Sequence, residues 1–174
     1  MVKWLVSALK AMNGFFKFQG NSSPGIVFYF EGAHDVPHLL PIARKLQKQN
    51  KNITLVSSEY LSEEYIFVGD GLFRILFFQM LNCPLIVMTM PDLERLHIKR
   101  SKNPVKYAYV FHSLSSSHTI YHQEAFDAYD IIFAAGPHHL NEIQKREELY
   151  QSKRKKIYEG GYPRIDSLLD TSPD

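Results

Sequence analysis

The sequence predicts an α/β fold in which a parallel sheet is flanked by helices. Three observations carry that expectation. Short apolar runs rich in β-branched and aromatic residues recur along the chain, segments of helical periodicity separate them, and polar loop-forming residues follow most of the runs.

Residues 1–20 come first and stand apart. On a wheel of about 100° per residue, Trp4, Leu5, Ala8, Leu9, Ala11, Met12, Phe15, Phe16 and Phe18 share one half, and Lys3, Ser7, Lys10, Asn13 and Lys17 share the other. This is a basic amphipathic helix. Its aromatic face, with Trp4, Phe15 and Phe16, and its cations Lys3, Lys10 and Lys17 suit the interface of an anionic membrane. Packing on the chain's own domain, or on a second domain, explains the same pattern. Residues 21–25, Asn-Ser-Ser-Pro-Gly, read as a linker.

Strand runs follow at 26–30, 53–57, 85–89, 107–111 and 131–135, with a short sixth at 157–159. Between the first two, residues 38–49 place Leu39, Leu40, Ile42, Ala43 and Leu46 at helical spacing with Arg44, Lys45 and Lys48 turned outward. That is a crossover helix. Gly69-Asp70-Gly71 forms a turn with Asp70 as a cap, leading into 72–81, which is apolar on nearly every side and therefore expected to be buried. Pro137 after Gly136 suits the first turn of a last helix with a polar body over 141–153. The alternation makes 26–160 one Rossmann-like domain.

Composition narrows the function classes. Of 174 residues 45% are hydrophobic and 22% charged, which suits a folded domain, and a net charge of +2 gives no basis for a nucleic-acid partner. Cys83 is the single cysteine, so no internal disulfide and no Cys-rich zinc site can form. His34 with His38, and His118 with His122, have a metal-ligand spacing, but nothing nearby completes a tetrahedron, so they read as solvated or capping residues and no metal is expected. No apolar run reaches the roughly 18 to 20 residues of a membrane span. A cytoplasmic protein, peripheral on the inner face of the cell membrane if the first helix binds there, is the expectation.

In an open parallel sheet, ligands bind beyond the carboxyl ends of the strands. There stand Glu31, Gly32, Ala33, His34 and Asp35 after the first run, Pro91 and Asp92 after the third, and Gly136 after the fifth. The fourth run is followed by His112, Ser113, Ser115, Ser116, Ser117, His118 and Thr119. A histidine there can take a proton from an attacking hydroxyl, while hydroxyls and helix-start amides hold phosphate oxygens. The plainer reading is a loop histidine among capping serines. Lys99, Arg100, Lys102 and Lys106 form a basic cluster able to attract a polyanion; Lys153, Arg154, Lys155 and Lys156 form another at a helix end. No GxGxxG, P-loop or nucleophile elbow is present.

Pro91-Asp92-Leu93 with Ile98-Lys99-Arg100-Ser101, then Tyr109-Val110-Phe111-His112-Ser113, then Gly161-Tyr162-Pro163-Arg164-Ile165-Asp166, occur in an order that resembles the CDP-glycerol glycerophosphotransferase family of teichoic acid and surface carbohydrate biosynthesis. Residues 125–130 and 136–139 resemble it too. The resemblance implies the first half of a two-domain, GT-B-like transferase, with residues 161–174 as the interdomain junction, Gly161, Tyr162, Pro163, Arg164 and Asp166 among them, and the second domain absent. It implies no bound cofactor; a CDP- or UDP-linked donor would be a substrate held mainly by that second domain. His112 matches the family's catalytic base, although Ser113 stands where a glycine is common. Glu31, Gly32, His34, Asp92, Lys99, Arg100, Ser113, Ser115, Ser116 and Thr119 are then the candidate contacts to donor and to a polyanionic or lipid-linked acceptor. A non-catalytic docking module, and one half of a nucleotide-sugar epimerase, are the alternatives.

Overall fold

The computed structural model describes residues 2–95 and 98–169. Helix α1 (Val2–Gln19) leads into β1 (Ile26–Phe30), α2 (Val36–Lys48), β2 (Ile53–Ser57), β3 (Ile66–Phe67), α3 (Leu72–Met80) and β4 (Leu85–Met88). Then come β5 (Lys106–Val110), α4 (Ser117–Ile120), β6 (Ile131–Ala134), α5 (Pro137–Tyr150), β7 (Lys156–Glu159) and α6 (Pro163–Leu169). The strands pair in parallel in the order β3-β2-β1-β4-β5-β6-β7, a Rossmann-like sheet whose strand order reverses between β1 and β4. The expected α/β architecture and its leading helix are therefore present.

Strand periodicity explains why the central runs are apolar throughout. Val27 and Tyr29 of β1, Ile86 and Met88 of β4, and Tyr107 and Tyr109 of β5 enter one core with α1, α3 and α5. Phe28, Phe30, Val87, Ala108 and Val110 enter a second core beneath α2. A strand buried on both faces has no polar alternation left to show. The two-residue β3 is too short for any sequence pattern and exists through its pairing with Val56 and Ser57.

Three local expectations change. Helix α3 is not buried all round: Phe77 and Phe78 are, but Leu72 is 64% and Met80 49% exposed, because only one face of the helix meets the sheet. Its N-cap is Gly71, with no side-chain cap from Asp70. Helix α5 stops at Tyr150, where Gln151 takes a left-handed φ of 50°, so the second basic cluster lies beyond it. Lys153 reaches Asp130 at 3.2 Å and the buried Lys155 reaches Glu147 at 3.7 Å.

Helix α1 packs on its own domain. Ala11, Phe15 and Phe18 are buried, and Phe18 meets Phe77 edge-on at 4.9 Å. Burying each of those phenylalanines stabilises the docked helix by roughly 1.5–3 kcal/mol. Gly14 allows the approach, since a Cβ there would collide with the Phe67 carbonyl oxygen on β3. Residues 21–25 are tied rather than free: the Asn52 side-chain amide and the Thr54 hydroxyl donate to the Ser23 and Pro24 carbonyls, each at 2.6 Å.

Candidate functional site

The strand order reverses between β1 and β4, the place at which open parallel sheets bind ligands, and polar residues gather at the carboxyl ends there. After β1 the chain turns through Ala33–Asp35 into α2, which buries the Asp35 carboxylate at 1% exposure. Its charge is met by three donors: the Glu31 amide at 2.7 Å, the Gly32 amide at 3.5 Å and, from the end of β4, the Thr89 hydroxyl at 2.6 Å. The exposed His34 imidazole stands 3.4 Å from the same carboxylate.

His112 follows β5 at the same edge. Its ring centroid is 6.0 Å from that of His38, on the first turns of α2, and His38 in turn is 5.4 Å from Tyr162. The Tyr162 hydroxyl donates to the His112 carbonyl at 3.0 Å, so the segment after β7 is fastened to the segment after β5. Behind His112, Tyr109 donates its hydroxyl proton to Tyr121 at 3.1 Å, leaving its oxygen to accept from His112 Nδ1 at a long 3.4 Å. The Nδ1-protonated tautomer of His112 fits that order of donors, and in it the Nε2 lone pair is available to take a proton.

Burial pushes the His112 pKa below the usual histidine range; the Asp35 carboxylate opposes the shift and His34 adds to it. His38 is also held low, by burial first and then by His112 and Arg164, against Asp35. Glu31 is raised by burial and by Asp35, against the pull of Arg74 at 3.7 Å. Neutral imidazoles and a fixed carboxylate therefore face one another near pH 7. The site suits proton abstraction from a hydroxyl.

The sequence-selected residues divide by position. Glu31, Gly32, His34, His112, Tyr162 and Arg164 are brought together. Ser113 accepts from the Ser115 amide at 3.1 Å within its own loop, and Thr119 is exposed on α4. The Ser115 carbonyl pairs with His139 Nε2 at 2.9 Å, and Ser116 donates to Glu142, so both help attach the loop to α5. Asp92 pairs with Arg95 at 3.2 Å. Lys99 donates to the Glu94 carbonyl. Arg100 lies at the opposite, amino end of the sheet, where it holds Ala128 O, Val105 O and the Asp130 carboxylate at 2.7, 3.0 and 2.8 Å. Gly161, with φ at 71°, turns the chain into α6, which Pro163 opens and whose Asp166 lines an apolar hollow of about 370 Å³ between α2 and α6. That hollow contains none of the clustered histidines.

Sequence reasoning left out Asp35, His38, Thr89 and Tyr109 as site residues. The four-residue step from His34 to His38 was the available signal for His38. Only the first of that pair is solvated; His38 is 3% exposed, because α2 starts at Val36 and turns it inward. Among the described residues no group of three or more His, Cys, Asp or Glu side chains could hold a metal ion. Among the described residues no helix is long and apolar enough to cross a membrane. No family model, curated protein or solved structure matches the chain.

Proposed function

We propose that this domain forms the acceptor-side wall of a transferase cleft, with His112 as the general base. The observation that supports the reading best is the placement of His112: at the carboxyl edge of the sheet, held toward the neutral form by burial, with a hydrogen-bonded tyrosine pair behind Nδ1. An acceptor hydroxyl gives its proton to Nε2 as its oxygen attacks the distal phosphorus of a CDP-linked glycerol phosphate. A new P–O bond forms, the diphosphate bridge breaks, and the nucleoside monophosphate leaves. With a UDP-linked sugar the same base serves attack at the anomeric carbon, and the diphosphate leaves. Arg164, whose charge is felt at His38, supplies positive potential for an anionic acceptor.

The donor would be held by a second domain, in the two-domain arrangement that the resemblance implies, and the residues at 161–166 would form the junction. A short poly(glycerol phosphate) acceptor added to the isotope-labelled chain should shift the ring signals of His112 and His38. Unchanged histidine signals at saturating acceptor would remove the acceptor-side reading.

A further inference from the structure

Helix α1 has two apolar stripes, and its own domain covers only one. Ala11, Gly14, Phe15 and Phe18 turn inward. Leu5, Leu9, Met12 and Phe16, spaced four, three and four residues apart, turn outward, with Leu5 at 56%, Leu9 at 51% and Phe16 at 61% exposure. Trp4 is 74% exposed at the head of the row. Phe15 meets Phe73 and Phe18 meets Phe77, so α1 and α3 run side by side in the same sense. Leu72 of α3, 64% exposed, lines a hollow with Trp4 and extends the apolar surface beyond α1 at the head of the row. Isolated exposed apolar residues are ordinary, but a row of this length on adjacent helices marks a contact surface.

Charge selects the partner. Lys10 and Lys17 are exposed along one flank of the outward row, and none of the residues 2–19 is acidic. Two copies packed through this row would bring lysine rows together with no acid on either helix to offset them. A bilayer surface with anionic headgroups satisfies both features: the apolar row enters the acyl boundary while the lysines stay among the headgroups. We propose that the outward row of α1, with Leu72 of α3, docks flat on an anionic membrane surface while the inward row keeps the helix on its domain. This does not depend on the transferase reading.

Trp4 is the single tryptophan of the chain and reports the contact directly. With the full 174-residue chain, phosphatidylcholine vesicles containing phosphatidylglycerol should move its emission to shorter wavelength and protect it from acrylamide; pure phosphatidylcholine vesicles should do much less. Added salt should weaken the binding. Lys10→Gln with Lys17→Gln should lower partitioning by on the order of tenfold, and Leu9→Ser with Phe16→Ser by a similar factor with an unchanged circular dichroism spectrum. An unshifted Trp4 on anionic vesicles overturns the proposal, as does equal binding to neutral ones. So does a dimer of the unmodified chain that Leu9→Ser with Phe16→Ser dissolves while vesicles remain unbound, because the row then serves a second copy.

Discussion

Thr89 and Asp35 join the two sides of the sheet's reversal: the hydroxyl at the end of β4 donates to the carboxylate that follows β1, at 2.6 Å and out of contact with solvent. The bond orders the floor on which His34, His38 and His112 stand. Replacing Thr89 with valine keeps the shape and removes the donor, so the carboxylate loses one of its three partners. Urea titration should show a loss of about 1–3 kcal/mol.

Asp35→Asn should lower the pKa of His112 further. The carboxylate favours the imidazolium, so removing its charge favours the neutral ring. An NMR titration of the His112 ring protons measures the shift, and an upward or absent shift would disconnect the two residues.

Stability should fall between pH 7 and pH 5. His38, His112 and His139 are all held below their ordinary value, chiefly by burial, so in that range the unfolded chain binds more protons than the folded one. Their contribution is complete above the unfolded value of about 6.5 and is lost as pH falls toward the folded values. Asp130 and Glu142, held low by their hydrogen bonds and ion pairs in spite of burial, act only further into acid. His139→Phe, which preserves the stack on Phe111 at 4.1 Å, should make the fall in melting temperature across this range shallower.

His112→Ala should leave folding nearly unchanged and lower turnover by about two to four orders of magnitude in a protein that carries the donor half. His138→Ala should do much less, because His138 lies on α5 outside the cluster. A well-folded His112→Ala protein with near-normal turnover would falsify the assignment of the base.

Arg100→Met should behave in the opposite way. It removes bonds to two carbonyls and to Asp130, and its ring contact with Tyr107 at 4.5 Å, all at the amino end of the sheet. We expect a loss of about 2–3 kcal/mol in chemical denaturation, with acceptor binding by the remaining folded protein unchanged.

Much of the fold was legible because long strands and helices leave periodic signals. The runs at 26–30 and 53–57 coincide with β1 and β2, and the crossover helix differs from α2 chiefly by starting two residues late. The site was less legible. Position after a strand drew attention to His112 and Glu31, but the same rule could not separate Ser116, which attaches a loop to α5, from a residue open to a ligand. Nor could it show that Arg100 turns toward the amino end of the sheet, since that choice rests on Asp130, thirty residues away.

The amino-acid order by itself determined the alternation of strands and helices, the amphipathic first helix and the polar character of the strand ends, because each depends on neighbours within a few residues. Tertiary structure alone decided which apolar stripe of α1 is covered, which histidine of the His34/His38 pair is buried, and that Asp35 meets Thr89. Those outcomes depend on groups far apart in the chain, whose competition for burial and hydrogen-bond partners is resolved only when the sheet has brought them together.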